Sequence, residues 1–435
     1  MTEILLINMQ YPSYSTFTNY FPVGLGILSE QLIKNNISHS VCDLGWSSFD
    51  DLVNTIKTLD PKYVGFSLLS LDIYENYKII KQIKSIFPEK LIIVGGPHVS
   101  FIKEEIFEEC PSVDFALVHE GEYSLVSLLK NEPYENIKGL IYKKEGQIIY
   151  NPIDCMLENL DDIGFPKYEK FDIKKYGRLM SIISSRGCPF QCTFCGAHLS
   201  MGKKWRSRSP ESVVEEIKYW VEKGYKKFNF VDSNFFHSKK RVIEIFALLK
   251  ENNLDVSLFS DGMRANDVTE EIIDLMKEFN FKRIAMGIES ANEHILKNIK
   301  KGETLVQIKK AMDILLKKEI NVIAFFILGL PGDNIFSTLK SFWFALKYPN
   351  IETAYFFNIN PLYKTELYNW AFSNGYLSMS REEIYQNIGG QGTDILLSTK
   401  EYPKYQRKVM FLFSKIVSKI IFVRHKNWVN KKRKK

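Results

Sequence analysis

Short apolar runs alternate with amphipathic helical stretches along most of this 435-residue chain. A strand that is reached again only through a helix runs parallel to the one before it, so the alternation specifies parallel sheets covered by helices. In the first stretch Ile4 to Ile7 is an apolar strand and Gly26 to Asn35 is helix-forming. Ser40 to Leu44, Tyr63 to Ser67, Leu91 to Val94 and Asp114 to Val118 follow at βα spacing, with the amphipathic segment Tyr77 to Phe87 between two of them. This half predicts a Rossmann-like doubly wound sheet, whose ligand sits over the carboxyl ends of its strands.

A second alternation follows. Lys226 to Val231, a run around Val256 to Phe259, Arg283 to Met286 and Val322 to Leu328 read as strands. Lys239 to Asn252, Thr269 to Phe279 and Thr304 to Lys318 read as the helices between and after them. The length exceeds the usual span of one core. Hydrophobic residues at 45% and aromatics at 14% supply enough apolar mass for two. The expected division is an N-terminal domain over 1–150, a linker over 151–176, a second α/β domain over 177–370 and a helical region with a basic tail over 371–435.

Functional groups cluster at the carboxyl ends of strands in such folds. Asp232 and Asn234 end one predicted strand, Arg264 follows the next, Glu289 closes Met286-Gly-Ile-Glu-Ser290, and Gly329-Leu-Pro-Gly332 ends the last. In the first half, Val94-Gly-Gly-Pro-His-Val99 and His119-Glu-Gly-Glu122 set small residues after strands, where a backbone can approach a flat or phosphate-bearing ligand. No Gly-x-Gly-x-x-Gly follows the first strand, which argues against a nicotinamide site.

Half of the six cysteines, Cys188, Cys192 and Cys195, fall within eight residues. Closed iron–sulfur and structural zinc sites normally take four protein ligands. Three thiolates on a cluster leave one iron open to a substrate or cofactor; the competing reading is a zinc closed by His198. Cys42, Cys110 and Cys155 lie apart and are expected to be buried structural thiols.

The three-cysteine spacing, with glycine before the first and Phe194 before the last, resembles the signature of the radical S-adenosylmethionine (SAM) enzymes. The resemblance implies a partial (β/α)6 TIM-type barrel. In it Cys188, Cys192 and Cys195 ligate a [4Fe-4S] cluster whose open iron chelates SAM, and one electron from the cluster releases a 5′-deoxyadenosyl radical. The same resemblance places the backbone beside Phe194 near the adenine and makes Asp232, Asn234, Arg264 and Glu289 cofactor contacts.

The first half resembles the cobalamin-binding domain that precedes the barrel in one subfamily, with counterparts in Pro22-Val-Gly-Leu-Gly26, Gly95-Gly96-Pro97-His98 and Glu120-Gly121-Glu122. Leu157 to Pro166 resembles that group's interdomain linker. Gly24, Gly95, Gly96, Glu120 and Gly121 are the residues this implies for cobalamin. No Asp-x-His-x-x-Gly motif occurs, so the expected cobalamin has no protein histidine ligand, and His98 is expected to bond its own backbone. A module that has lost its corrinoid is the bland alternative.

Taken together, the resemblances imply a cytoplasmic enzyme that C-methylates an unactivated carbon of a small molecule, with an electron donor such as flavodoxin or ferredoxin. A radical cyclisation or rearrangement without methyl transfer, and a sensor without turnover, are the alternatives. Asn358 to Tyr368 resembles the segment that closes the barrel, and this region with Tyr385 to Thr399 is expected to line the substrate side.

The net charge of +7 does not point to nucleic acid, because residues 400–435 alone carry +12 and leave the remainder at −5. Val409, Leu412, Phe413, Ile416, Ile420 and Val423 recur there at helical spacing, among Lys404, Lys408, Lys415 and Lys419. A packed terminal helix is the first expectation, and peripheral contact with anionic lipid is the alternative. The amino terminus runs into the first strand without a basic leader, and the longest apolar run, near Ile320 to Leu330, is too short for a bilayer.

Overall fold

The structure, a computed structural model, describes residues 2–9, 20–154, 156–260, 262–281, 283–387 and 394–433. The chain divides into two compact units, Met1–Arg178 with Gly196–Arg208, and Leu179–Cys195 with Ser209–Lys435.

In the first unit, β1 (Ile4–Asn8), α1 (Val23–Lys34), β2 (His39–Asp43), α2 (Phe49–Leu59), β3 (Tyr63–Ser67), α3 (Ile73–Ile86) and β4 (Leu91–Gly95) alternate in order. After them come α4 (Pro97–Ile102), α5 (Ile106–Glu109), β5 (Phe115–Leu117), α6 (Glu122–Leu129), β6 (Leu140–Lys144) and β7 (Gln147–Tyr150). The sheet runs β2-β1-β3-β4-β5-β6-β7. Its first five strands are parallel and the last two antiparallel. β1 is buried on both faces at Ile4, Leu5, Leu6 and Ile7, as a central parallel strand must be. The order reverses at β1, the switch point where a doubly wound sheet opens a crevice beyond its strand ends.

Residues 151–178 pack into this same unit. The Ile163 carbonyl accepts from Gln31 Nε2 at 2.7 Å and Lys34 Nζ at 3.1 Å. Gly26 lies under the linker, and a Cβ on it would come within 2.4 Å of the Tyr168 ring. That glycine therefore serves helix packing within this unit.

Beyond β8 (Leu179–Ile182) and the two-residue β9 (Ser185–Arg186) comes the cysteine loop. The chain next gives α7 (Ala197–Met201) and β10 (Arg206–Ser207) to the first unit and resumes the second at α8 (Pro210–Glu222). There β11 (Lys227–Phe230), α9 (Lys239–Glu251), β12 (Ser257–Ser260), α10 (Glu270–Glu278), β13 (Arg283–Glu289), α11 (Glu293–Asn298) and α12 (Leu305–Lys317) follow. β14 (Asn321–Leu328), α13 (Ile335–Lys347), β15 (Ile351–Asn358) and α14 (Glu366–Ser373) complete the alternation, before α15 (Arg381–Asn387) and α16 (Lys404–Arg433).

Six parallel strands thus follow one another with intervening helices, the partial (β/α)6 barrel. They form two three-stranded ladders, β12-β11-β8 and β13-β14-β15. From the short β12 the chain reaches β13 through the Met263 N–H, which donates to the Ala285 carbonyl at 2.9 Å. The helix starts are capped by side chains: Ser209, Ser238, Thr269, Thr304 and Thr365 each accept from a first-turn N–H.

The packed-helix expectation for the C terminus holds, though on a different face from the stripe that the periodicity picked out. α16 packs through Met410, Phe411, Val417 and Ile421, all buried. Its last turns are tied down where Arg424 donates to the Leu346 and Tyr348 carbonyls and His425 Nδ1 meets the Pro349 carbonyl at 3.0 Å. The stripe Val409, Leu412, Phe413, Ile416, Ile420 and Val423, by contrast, is 46–62% exposed. The seated face also holds Arg407, Ser414 and His425, so its pattern was less apolar than that of the exposed face. No helix among the described residues is long and apolar enough to cross a membrane. Within Tyr385 to Thr399, residues 388–393 lie outside the described residues, and Leu396 and Leu397 are core.

Two neighbouring isoleucines test this seating. Ile421→Ala is expected to cost about 2–4 kcal/mol and Ile420→Ala less than about 0.5 kcal/mol, measured as shifts in the urea midpoint.

Candidate active site

The cysteine loop begins at Gly187, whose φ of +82° is open to glycine and strained for other residues. Cys188 and Cys195 are half-buried and Cys192 is buried. The Cys195 N–H turns back to the Cys192 carbonyl at 3.1 Å. Thr193 ties the loop on both sides: its N–H donates to the Ile299 carbonyl at 3.0 Å, and its carbonyl accepts from the Leu367 N–H at 2.9 Å. Phe194 is partly buried against the apolar cluster that includes Ile295, Ile299 and Leu330.

Three thiols, two of them half-buried, are a soft donor set suited to an iron–sulfur cluster. The Thr193 hydroxyl, in the same loop, is buried without a hydrogen-bond partner. The zinc alternative finds no support. Among the described residues no three His, Cys, Asp or Glu side chains gather as one ion requires. A four-iron cluster spaces its cysteines more widely than a single ion does.

Asp232 stands one residue beyond Val231, at the end of β11. Its Oδ1 accepts from the Ser184 N–H and hydroxyl at 3.0 Å each and from the Ser185 hydroxyl at 2.5 Å, which fixes the turn entering the cysteine loop. Its Oδ2 is buried with no partner. Burial pushes this carboxyl up, and the serine donors only partly offset that. An unpartnered carboxylate oxygen in a dry site suits a ligand ammonium. Asn234 is buried two residues on.

Arg264 and Glu289 meet through two residues the sequence reading did not single out. Lys301 Nζ lies 3.1 Å from Glu289 and 3.6 Å from Glu303, with all three side chains almost fully buried. Burial works against the Lys301 charge, yet the two carboxylates hold its pKa above the ordinary lysine value. The Lys301 carbonyl accepts from the Arg264 guanidinium at 2.5 Å, and that guanidinium lies 3.5 Å over the Phe190 ring, inside the cysteine loop. Burial pushes the Cys192 thiol up, and the Lys301 and Arg264 cations pull against it.

Glu289 sits at a register shift in β13 with φ +62°, a left-handed geometry that aims its side chain back along the strand. A Cβ at Gly287 would meet Glu289 Oε1 at 2.3 Å, so the glycine before it makes the room. Lys301 was missed because a lysine in Lys300-Lys301-Gly302-Glu303 reads as surface.

In the first unit Gly95 ends β4, Gly96 follows it, Glu120 and Gly121 follow β5, and Gly24 lies in the first turn of α1. Among the described residues a Cβ at Gly24 would meet nothing within 4 Å, and the start of α1 has no side-chain cap. Gly96, at φ +99°, lets the turn approach β3: a Cβ there would come within 2.7 Å of the Leu68 carbonyl. A flat ligand fits over strand ends where the backbone is bare.

The Glu120 carboxylate is engaged within its own unit. Arg206 Nη1 donates to both oxygens at 2.8 Å and the Leu157 N–H donates at 2.7 Å, so the side chain ties the 157 and 206 segments to β5. His98 departs from expectation. It is fully buried, with Nδ1 on the Ser70 hydroxyl at 2.9 Å and Nε2 on the Tyr77 hydroxyl at 2.7 Å, so side chains and not its own backbone engage both nitrogens. His39 is likewise held at both nitrogens, by Ser29 and the Ile37 carbonyl.

The B12 binding domain family matches residues 15–129, and the Radical SAM superfamily matches residues 182–340. An uncharacterized methyltransferase of Pyrococcus horikoshii is 31% identical over 417 residues, 93% of this chain and 90% of that protein. The chain belongs to the cobalamin-binding radical SAM enzymes. The anaerobic magnesium-protoporphyrin IX monomethyl ester cyclase of Rubrivivax gelatinosus is 26% identical over 79% of this chain and 61% of its own length. The fold is shared with the radical SAM methyltransferase TsrM of Kitasatospora setae, solved with cobalamin and a [4Fe-4S] cluster bound. The TM-score is 0.73 at 18% identity, over 86% of this chain and 75% of that one. The cofactors of this radical SAM enzyme are a [4Fe-4S] cluster, SAM and cobalamin, and the thiols, the Asp232 oxygen and the glycine-bearing strand ends fit them. A sensor without turnover does not match this kinship.

Replacing Lys301 by Met leaves Glu289 buried without its cation, while Glu303 keeps Arg264 at 3.6 Å. The expected cost is about 3–5 kcal/mol, read as a lower urea midpoint, with Lys301→Met/Glu289→Gln recovering most of it.

Proposed function

We propose that this enzyme methylates an unactivated carbon of a small molecule. Cys188, Cys192 and Cys195 hold the cluster, the Asp232 Oδ2 receives the ammonium of SAM, and Asn234, Arg264 and Glu289 shape the same pocket. Gly24, Gly95, Gly96 and Gly121, with the backbone at Glu120, cradle cobalamin. When bound, the cluster and SAM supply a hydrogen-abstracting deoxyadenosyl radical and cobalamin supplies the methyl group. Such a carbon has no usable lone pair, which is why simple nucleophilic attack on SAM does not serve.

The chain's own residues supply position and charge. The Thr193 ties hold the cysteine loop to its neighbours, the Ser184 and Ser185 donors fix Asp232, and Arg264 on Phe190 shields one side of the loop from water. An electron donor of the flavodoxin or ferredoxin kind is required for each cleavage of SAM. The proposed barrel spans 177–370, preceded by a cobalamin-binding domain over 1–150. The observation that carries the reading is the likeness to an archaeal methyltransferase along 93% of the chain, over both halves. A cyclisation without methyl transfer is the second reading, favoured by the Rubrivivax cyclase match.

Anaerobically reconstituted protein, given cobalamin, a reductant and SAM, is expected to form both deoxyadenosine and S-adenosylhomocysteine, resolved by chromatography. Deoxyadenosine alone would select the cyclisation. Cys192→Ala is expected to lose bound iron and to drop both products to background.

A further inference from the structure

We propose that α16, together with the outer face of α13, seats this enzyme on an anionic lipid surface. α16 divides into three faces. One carries Met410, Val417 and Ile421 and is buried against the rest of its unit. The second is the exposed stripe of Val409, Leu412, Phe413, Ile416, Ile420 and Val423, which spans about 100° of the helix at 3.6 residues per turn. The third holds Lys404, Lys408, Lys415, Lys419 and Lys426, all exposed, centred about 100° from the stripe. An apolar strip with a lysine row along its edge is the arrangement of a helix lying in a membrane interface.

The neighbouring helix repeats the pattern independently. On α13 the exposed positions Phe336, Lys340, Trp343 and Lys347 alternate aromatic and cationic residues along one face, with Phe336 76% and Trp343 73% exposed. α13 and α16 touch through Phe342 and Phe413, whose ring centroids are 5.9 Å apart. A groove beside the stripe is walled by Ile420, Val423 and Trp428, with Lys419 and Lys431 at its rim.

Charge decides the occupant. Residues 404–433 contain ten Lys or Arg and no Asp or Glu. A second copy of this face would bring two such rows together and be repelled, whereas anionic headgroups complement the lysines while the stripe enters the acyl boundary. Nucleic acid would leave six apolar side chains in water. The helix cannot cross the bilayer, so the contact is peripheral.

The holoenzyme is tested by flotation with vesicles of phosphatidylcholine alone or with 30% phosphatidylglycerol. It is expected to float with the anionic vesicles only and to be released by 500 mM salt. Lys415→Gln/Lys419→Gln weakens partitioning about twenty-five-fold, at about five-fold for each lysine. Ile416→Asp/Ile420→Asp abolishes it while leaving the urea midpoint unchanged. Absence of anionic-vesicle binding at 50 mM salt, or undiminished binding by the aspartate variant, overturns the proposal. A dimer in ultracentrifugation that the aspartate variant dissociates also overturns it, because a second copy would then cover the stripe.

Discussion

One buried ammonium organises the candidate active site. Lys301 sits between Glu289 and Glu303 with almost no solvent to screen it, so its charge depends on both carboxylates, while Glu303 is shared with Arg264 at 3.6 Å. The Lys301 carbonyl then orients Arg264, and Arg264 covers Phe190 in the cysteine loop. Two cations thereby stand beside Cys192, in a place where burial alone would disfavour a thiolate. The ends of two barrel strands and the cysteine loop are thus coupled through one short electrostatic chain.

The first unit solves its problem with backbone. Gly95, Gly96 and Gly121 stand at or just after strand ends and Gly24 in the first turn of α1, so none of these positions carries a side chain. The buried polar groups nearby are turned to structure: Glu120 is locked by Arg206, and His98 is locked between Ser70 and Tyr77. Both His98 nitrogens are engaged by side-chain hydroxyls.

Much of this was legible in the chain. Parallel strands reveal themselves as apolar runs because they are buried on both faces, and β1, β3, β4 and β14 fall where those runs predict them. The antiparallel hairpin β6–β7 was not foreseen, since Lys143, Lys144 and Gln147 dilute its apolar signal at the sheet edge. The cysteine spacing named the cluster loop, because ligands close in sequence need no tertiary information to be recognised. Asp232 was picked out by its place after a strand, but not its three serine contacts, which come from a turn 47 and 48 residues away.

The sequence by itself determined the two α/β halves, the thiol triad and the glycine-bearing strand ends, since each is a local pattern fixed by periodicity or short spacing. Only the tertiary structure decided which charges are buried. Lys300 is exposed and Lys301 is enclosed, a difference of one residue that composition cannot register. The same holds for α16, where two apolar faces compete for one seat and packing of Val417 and Ile421 against the unit leaves Ile416 and Ile420 outside. Burial is set by what lies opposite a side chain in space, and that partner is contributed by a distant part of the chain.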